Sequence, residues 1–246
     1  MTRLRLDVLL VERGLAANRE RAARLIVAGD VLVDERPATK PGTRVRDDAP
    51  VRLRNPPAPY VSRGGEKLAG ALDAFGVDPT GMRVLDVGAS TGGFTDCVLQ
   101  RGAREVVAID VGYGQLAWSL RQDARVLVHE RVNARTLPDD FVVPPVDLAV
   151  VDVSFISLRL VLPAVTALVR PGGTLVALVK PQFEVGPEHV GSGGVVRDEV
   201  ARAGAVSAVR AAAESLGWVV RGEADAVLAG PKGNREVFLW CERAGV

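Results

Sequence analysis

Apolar residues recur along the first quarter of the chain at two different spacings. Between residues 4 and 15 they recur at helical spacing among charged residues, which predicts a first helix. Asn18 has the side chain of an N-cap, so a second helix is expected to begin there and to end at Gly29. The apolar run 31–33 predicts a short strand, and the alternating segment 44–53 predicts one or two more.

From residue 82 onward, short apolar runs alternate with longer amphipathic segments. This alternation predicts an α/β fold in which a mostly parallel sheet carries helices on both faces. Only the turn region 230–234 separates the last two apolar runs, so these are expected to form an antiparallel hairpin. The predicted strands are 83–87, 105–110, 125–129, 148–153, 173–179, 218–224 and 236–241, and the predicted helices are 95–101, 114–122, 157–169 and 198–216.

A proline-rich segment separates the two patterns. Three of the four residues 56–59 are proline, and such a segment continues neither a helix nor a central strand. We therefore predict a small α+β domain over 1–54, a stiff linker over 55–61 and a second domain over 62–246.

Composition and charge narrow the class of protein. Hydrophobic residues make up 48% of the 246, yet no apolar run approaches the roughly 20 residues of a membrane helix, and no secretory signal is expected. Cys97 and Cys241 show no metal-ligand spacing, and His129 and His189 stand alone. We therefore expect no metal site and a reducing, cytoplasmic compartment. Residues 1–60 carry 12 basic and 8 acidic side chains, a weak signal for nucleic acid that a solvated surface would also give.

The segment 21–34, RAARLIVAGDVLVD, resembles the S4 RNA-binding domain. The resemblance implies two small helices and a short β segment that dock on structured RNA. That family commonly turns with Asn-Gly or Asp-Gly after this strand, whereas 34–36 reads Asp-Glu-Arg, so a different turn type is expected. If Arg19, Arg21 and Arg24 face outward they would contact phosphates; otherwise they form an ordinary charged helix face.

The sharpest local motif is 84–94, where a buried strand ends in a glycine-rich turn and opens into a helix. Glycine lets a ligand approach the backbone, and ligands of such sheets bind outside the carboxyl ends of the strands. The spacing does not fit the nicotinamide fingerprint G-x-G-x-x-G, and an acid such as Asp86 before the first glycine is usual in S-adenosylmethionine sites. Asp110 ends the second strand, where it can accept hydrogen bonds from ribose hydroxyls, and Asn133 is expected to contact adenine. The alternative is a generic connection between strand and helix.

Four charged residues stand out: Lys67 comes just before the sheet begins, Asp152 and Lys180 end predicted strands, and Glu236 opens the last strand. Asp152 and Lys180 end neighbouring predicted strands, so both are expected to point into the ligand crevice. A ribose hydroxyl is a poor nucleophile, and methyl transfer to it needs alignment and removal of a proton. Lys180 would either accept that proton in its neutral form or stay charged and stabilise the developing alkoxide.

The order Lys67, Asp152, Lys180, Glu236 resembles the tetrad of RrmJ/FtsJ-type ribose 2′-O-methyltransferases, and the whole chain resembles the TlyA family of rRNA 2′-O-methyltransferases, often labelled haemolysin A. The blocks that carry this resemblance are YVSRGGEKL (60–68), DVGASTGGF (86–94), DVGYGQLAW (110–118), DVSFISL (152–158), VKPQFEVG (179–186) and GGVVRD (193–198).

The resemblance implies a Rossmann-like methyltransferase domain that uses S-adenosylmethionine, with the tetrad as its catalytic residues. It implies ribosomal RNA and the ribosomal subunits as partners, with cytidines as targets, either on the large subunit alone or on both subunits. Beside the contacts that it implies, Asp86 is expected at the cofactor and Arg63 at the RNA. The implied cofactor contacts are Gly88, Ser90, Gly92, Phe94, Asp110, Asn133 and Asp152.

Three other functions stay open at this point. A non-catalytic RNA-binding or assembly factor is disfavoured by the intact tetrad, and a membrane-active haemolysin would need an apolar or amphipathic segment that the sequence lacks. Base methylation often uses an Asn/Asp-Pro-Pro-Tyr-type loop, whereas 152–155 reads DVSF. We also expect a monomer, a mobile substrate loop over 186–198, Trp118 and Trp240 in the core, and Tyr60 against RNA or the N-terminal domain.

Overall fold

The computed structural model describes residues 2–16, 18–55, 58–230 and 232–245. The chain forms two compact units, Met1–Ala58 and Pro59–Val246. The linker over 55–61 stays a prediction, and its residues Pro56 and Pro57 lie outside the described ranges.

Two helices and two small sheets build the N-terminal unit. The first helix is shorter than the predicted 4–15, because residues 3–5 pair with a later strand and the helix begins only at Leu6. The N-cap is confirmed, since the Asn18 side chain accepts a hydrogen bond from Arg21 N at 2.9 Å. The elements are β1 (Arg3–Arg5), α1 (Leu6–Glu12), α2 (Arg19–Val27), β2 (Val31–Val33), β3 (Arg36–Ala38), β4 (Arg44–Arg46) and β5 (Val51–Leu53). β1 pairs with β4, and β2 lies between β3 and β5.

A two-residue turn joins β2 to β3. Val33 pairs with Arg36, so Asp34 and Glu35 are its central residues, and both have positive φ, 49° and 60°. A type I′ turn requires this conformation at both positions. The expectation of a different turn type is therefore wrong: two residues other than glycine adopt the left-handed conformation here, and Arg52 Nε donates to the Glu35 carboxylate at 2.9 Å.

A seven-stranded sheet forms the centre of the C-terminal unit. Its strands are β6 (Arg83–Val87), β7 (Glu105–Asp110), β8 (Val126–Glu130), β9 (Val146–Val151), β10 (Val169–Val179), β11 (Trp218–Asp225) and β12 (Val237–Arg243). Their order across the sheet is β11-β12-β10-β9-β6-β7-β8. The five strands β6 to β10 run parallel, and β12 is antiparallel to both of its neighbours. The predicted α/β class is confirmed, and so is the antiparallel hairpin at the end.

Helices cover both faces of this sheet, because side chains alternate along the strands. Val84 of β6 joins a core with the helices on one face, and its neighbour Leu85 joins the core on the other. The helices are α3 (Arg63–Phe75), α4 (Gly93–Gln100), α5 (Trp118–Arg121), α6 (Leu158–Leu168) and α7 (Glu199–Ser215). The sequence did not predict α3, and α5 is much shorter than the expected 114–122.

One aromatic placement differs from expectation. Trp118 is 72% exposed, so its prediction as a core residue is wrong, whereas Trp240 is half-buried and stacks on Phe75 at 5.7 Å between ring centroids. Tyr60 packs within its own unit against the first turn of α3, where a side chain on Gly65 would overlap its ring. The expected contact of Tyr60 with RNA or with the N-terminal domain stays a prediction.

Candidate active site

The glycine-rich turn after β6 lies against the end of β9. These strands are neighbours, yet the chain continues from β6 toward one edge of the sheet and from β9 toward the other. A crevice opens at such a switch point, outside the carboxyl ends of the strands. Gly88 has φ of +86°, and a Cβ on it would lie 2.5 Å from the backbone oxygen of Asp152. Only glycine fits this close crossing without strain.

The turn also needs glycine where it meets the helices. Gly92 has φ of +97°, and a Cβ there would overlap Leu120. A Cβ on Gly93 would overlap the Ser62 hydroxyl at the start of α3. The structure thus gives Gly92 a packing role, and its expected contact with the cofactor stays a prediction.

Asp86 lies beneath the turn, away from the clefts. Its carboxyl is fully buried, and Oδ2 accepts a hydrogen bond from Thr95 Oγ1 of α4 at 2.6 Å. Oδ1 receives no hydrogen bond from the described residues, and burial raises the pKa of this carboxyl to about 7. The expected direct contact of Asp86 with a cofactor is therefore corrected: it holds α4, and through that helix the turn.

A cleft of about 530 Å³ opens on one side of the crossing, and we call it the Asp110 cleft. It is lined by Gly88, Ser90 and Asp152 at the crossing and by Asp110 and Asn133 at its far side. The Asp110 carboxylate accepts hydrogen bonds from the backbone amides of Ser90 at 2.8 Å and of Gly112 at 2.6 Å. The structure thus fixes a carboxylate at the mouth of a partly apolar cavity, whose apolar walls are Ile109, Val132, Val153 and Ile156.

The second cleft, of about 360 Å³, shares Gly88, Ser90 and Asp152 with the first, and we call it the Lys67 cleft. All four members of the predicted tetrad line it, and so do Phe94 and Arg63. They come from α3 and from the ends of β9, β10 and the start of β12, so the sheet topology brings them together. The four tetrad residues are Lys67, Asp152, Lys180 and Glu236.

Lys67 and Glu236 form a buried ion pair. Lys67 Nζ donates to Glu236 Oε2 at 2.6 Å, and the two residues are only 7% and 2% exposed. The turn before β12 closes over this pair, since a Cβ on Gly230 would lie 2.5 Å from Glu236 Oε1. Each charge therefore depends on the other, because water is largely excluded from both.

Lys180 and Asp152 form the second pair of the tetrad. Lys180 Nζ lies 2.5 Å from Asp152 Oδ1 and donates to Ser154 Oγ at 2.8 Å. The Asp152 contact is ionic and lacks the angles of a hydrogen bond, so Oδ1 receives no hydrogen bond from the described residues. The sequence analysis missed Ser154, although it stands two positions after Asp152 inside a motif already singled out. Two side chains, Asp152 and Ser154, thus hold the ammonium, and Asp152 lines both clefts.

A third cleft, of about 350 Å³, opens on the other side of Lys180 and Glu236, and we call it the Phe183 cleft. Phe155 and Phe183 line it with ring centroids 5.2 Å apart. Asn234 is a further lining residue that the sequence analysis missed. It carries no motif of its own, and its partners lie about forty residues away in sequence.

Asn234 fixes the predicted substrate loop 186–198 beside this cleft. Its Oδ1 accepts from Val196 N at 3.0 Å, and its Nδ2 donates to Gly194 O at 2.8 Å. Asn234 is buried, so these bonds are shielded from water. The mobility of the loop stays a prediction.

The predicted RNA contacts fall in both units. Arg63 lines the Lys67 cleft and donates to Ala229 O at 2.8 Å. On α2, Arg19 pairs with Asp7 at 3.2 Å and Arg24 with Glu20 at 3.4 Å. The described residues place no carboxylate within 4.0 Å of Arg21, which is exposed. All four guanidinium groups can reach solvent, and their contact with RNA stays a prediction.

The described ranges contain neither a candidate metal site nor a candidate membrane-spanning helix. No group of three or more His, Cys, Asp or Glu side chains there is placed to hold a metal ion. Among the same residues, no helix has the length and hydropathy needed to cross a bilayer.

Comparison with known proteins matches each unit to a family. Residues 60–243 match the FtsJ-like methyltransferase family, and residues 4–51 match the S4 domain. The chain is 53% identical over 239 residues to the Mycobacterium tuberculosis protein named 16S/23S rRNA (cytidine-2′-O)-methyltransferase TlyA, which covers 97% of this chain and 89% of that protein.

Solved structures support the same assignment of family and fold. A candidate hemolysin from Streptococcus thermophilus is 42% identical, with a TM-score of 0.74 over 99% of this chain and 90% of that one. An S-adenosylmethionine dependent methyltransferase from Mesorhizobium loti, 16% identical, shares the fold with a TM-score of 0.54 over 71% of this chain and 96% of that one. The family resemblances seen in the sequence and the Rossmann-like fold are confirmed.

Proposed function

The chain belongs to the FtsJ-like methyltransferase family, and from this premise we propose that it methylates the ribose 2′-oxygen of ribosomal RNA with S-adenosylmethionine as methyl donor. The observation that carries the proposal is the meeting of two lysine–carboxylate pairs in one cleft. That cleft joins a second, partly apolar one through shared lining residues. The Asp110 cleft suits the cofactor, and the Lys67 cleft suits the ribose hydroxyl that reacts.

The Asp110 cleft fits S-adenosylmethionine. Its apolar walls suit adenine, and the Asp110 carboxylate has acceptor capacity left for ribose hydroxyls after its two backbone bonds. Gly88 and Ser90 would hold the methionine end of the cofactor, and Asn133 would contact its adenine. Phe94 lines the adjoining Lys67 cleft. When bound, the sulfonium supplies an electrophilic methyl group.

The protein's own residues then align the hydroxyl and handle its proton. Lys180 Nζ is held in the Lys67 cleft by Asp152, which lines both clefts, and by Ser154, so it is placed to contact the incoming 2′-oxygen. Lys67 and Glu236 also line the Lys67 cleft, and their ion pair fixes the shape of that part of the cleft. Whether Lys180 takes the proton or stabilises the oxyanion, its nitrogen must reach that oxygen.

The substrate follows from the relatives and from the N-terminal unit. The Mycobacterium tuberculosis relative is named for cytidines of 16S and 23S rRNA, and the S4 domain supports RNA as the partner. We propose cytidine in ribosomal RNA, within ribosomal subunits of the cytoplasm, as the target, and a monomer as the acting form. Arg19, Arg21, Arg24 and Arg63 would contact its phosphates.

The test is methyl transfer from labelled S-adenosylmethionine to unmodified ribosomal subunits, large and small in separate reactions. Lys180→Ala is expected to abolish labelling of ribose while cofactor affinity, measured by calorimetry, stays within about threefold of wild type. Asp110→Ala is the matched variant, expected to lose cofactor binding. Loss of cofactor binding in a folded Lys180→Ala would contradict the role of Lys180.

A further variant separates the two roles of the lysine. Arginine keeps the positive charge but does not lose its proton in proteins. Residual turnover in Lys180→Arg would exclude proton removal by Lys180 and assign charge stabilisation. Wild-type protein that binds both cofactor and subunits without labelling either would refute the proposed activity and leave an RNA-binding factor.

A further inference from the structure

Glu184 is a buried carboxylate close to the catalytic lysine. It stands four positions after Lys180 in sequence, and its side chain is only 1% exposed. The reaction proposed above gives this side chain no part. A carboxylate that is kept from water is stable only where hydrogen-bond donors replace the solvent. The location of those donors therefore indicates what Glu184 does.

The donors to the Glu184 side chain lie at the start of α6. Oε2 accepts from Ser157 Oγ at 2.6 Å, and Oε1 accepts from Leu158 N at 2.7 Å. Arg159 adds an ion pair at 3.4 Å. Leu158 N is a first-turn amide without an acceptor inside its own helix, and the positive end of the helix dipole favours a carboxylate there. Glu184 therefore ties the chain that follows β10 to the first turn of α6.

Two segments meet along this line, and we call 152–158 the β9 segment and 180–184 the β10 segment. Each follows the carboxyl end of the strand after which it is named. Lys180 Nζ donates to Ser154 Oγ at 2.8 Å near one end, and Glu184 accepts from the start of α6 at the other. Two phenylalanine rings meet between these bonds. The β9 segment is thus held near both of its ends.

The middle of the β9 segment depends on these contacts. Phe155 has φ of +64° and is 91% exposed, and a bulky side chain rarely adopts this left-handed conformation. Such a conformation persists only where the surrounding structure determines it. Ser154, Phe155 and Ile156 line the Asp110 cleft, and the first two also line the Phe183 cleft. A displaced β9 segment would therefore change both clefts and would take the Ser154 hydroxyl away from Lys180.

We propose that Glu184 is a positioning residue for methyl transfer, which fixes the β9 segment and, through Ser154, the Nζ of Lys180. The inference rests on the proposed function for the reaction that it supports. If Glu184 only stabilised α6, its loss would lower the melting temperature and leave the turnover of the folded protein unchanged. Loss of a positioning residue lowers turnover in folded protein, since a misplacement of about 1 Å costs roughly 100-fold.

The test uses the full chain with Glu184→Ala, assayed with labelled S-adenosylmethionine and unmodified ribosomal subunits well below its melting temperature. We expect kcat to fall roughly 100-fold and KM for the subunits to change less than about threefold, because Glu184 is buried and the proposed RNA contacts lie elsewhere. A KM that rises while kcat stays at the wild-type value would overturn the proposal.

The conservative variant is Glu184→Gln, which keeps the length of the side chain. Its amide can accept from Leu158 N and donate to Ser157 Oγ, so kcat is expected to recover to within about tenfold of wild type. A glutamine variant as impaired as the alanine variant would overturn fixation by these two hydrogen bonds.

The matched control is Thr166→Val, at the other end of α6. Thr166 Oγ1 accepts from the buried Trp218 Nε1 at 2.7 Å, so valine leaves that donor without its partner and destabilises the same helix. Its melting temperature should fall, whereas kcat is expected to stay within about twofold of wild type. Equal losses of kcat in Thr166→Val and Glu184→Ala would overturn the proposal and leave Glu184 as a stabilising contact of α6.

A second variant covers the case in which Glu184→Ala does not fold. Ser157→Ala removes one of the two donors and keeps the carboxylate, so kcat is expected to fall about tenfold with a smaller loss of stability. An unchanged kcat in Ser157→Ala would count against the proposal in the same way.

Hydrogen exchange of the amides in the β9 segment separates this proposal from the proposed function, because it needs no turnover. Exchange there should become faster in Glu184→Ala and stay unchanged in Thr166→Val. Wild type that labels ribose, together with a Glu184→Ala variant that is equally active, refutes the positioning role alone. Wild type that labels neither subunit, while exchange in the β9 segment rises in Glu184→Ala, refutes the activity and supports the fixation of this segment by Glu184.

Discussion

The buried pair Lys67–Glu236 should couple the stability of the C-terminal unit to its catalytic site. Their side chains are 8% and 0% exposed and 2.6 Å apart. Glu236→Gln keeps the size of the side chain and removes its charge, which leaves the Lys67 ammonium buried without a counter-charge. Lys67→Met likewise leaves the Glu236 carboxylate buried without a counter-charge.

The magnitude follows from this burial. Breaking a buried ion pair by removing one partner costs about 3 to 5 kcal/mol, since the remaining charge is kept from water. In a unit of this size each kcal/mol lowers the melting temperature by about 2 to 4 °C, so each single variant should melt roughly 6 to 20 °C below wild type. Replacing both by apolar residues of similar volume, Lys67→Met with Glu236→Leu, should bring stability back to within about 1 kcal/mol of wild type.

Calorimetric melting of the three variants and the methyl-transfer assay test this together. Activity should be absent from all three, although the double variant is stable, because the pair also forms the wall of the Lys67 cleft. A double variant that melts below either single one would refute the reasoning, since the two losses would then be independent. A fall of under 2 °C in both single variants would show that water reaches the pair.

Three further changes test the parts around the cleft. Asp86 keeps its proton in the folded protein up to about pH 7 but ionises near pH 3.8 when exposed, so its own contribution to stability falls as pH rises between these values, and Asp86→Asn removes this contribution. The difference in melting temperature, variant minus wild type, should grow over this range and then level off; a constant difference would contradict the assignment. Gly88→Ala should lose cofactor binding because its Cβ meets a neighbouring backbone oxygen, whereas Gly114→Ala, with φ of +71° and open space around it, is expected to retain it. Asn234→Ala should speed tryptic cleavage at Arg197 and lower kcat while leaving cofactor affinity unchanged, and unchanged cleavage would show that other contacts hold the loop.

The local pattern of the chain was enough to predict the central strands and the cofactor turn. β6 and β7 have the predicted limits, because their interior residues, apart from Asp86, are apolar, as expected of strands buried on both faces. Asp110 and Asp152 stand where a strand end delivers a side chain to the crevice. Asn18 was predictable because capping depends on the next three residues alone.

The helix α3 and the exposure of Trp118 were not predictable in this way. α3 begins in a run of glycine and charged residues, and it is stable because its apolar face packs on the core next to α4. Trp118 sits in a pattern that is typical of a core position, yet Leu116 and Leu120 fill the space beneath the glycine-rich turn and leave Trp118 outside.

The sequence by itself determined the two kinds of domain, the positions of the strands and the identity of the charged residues at their ends. Only the tertiary structure decided how those residues pair. Lys67 and Glu236 are 169 residues apart in sequence, and they meet because β12 inserts between β10 and β11. The pairing of β1 with β4 likewise depends on the register of two three-residue strands whose paired residues lie 39 to 43 positions apart in sequence. Propensity and periodicity act over a few neighbouring residues, whereas strand order, register and buried charge pairs are set by the packing of the whole unit.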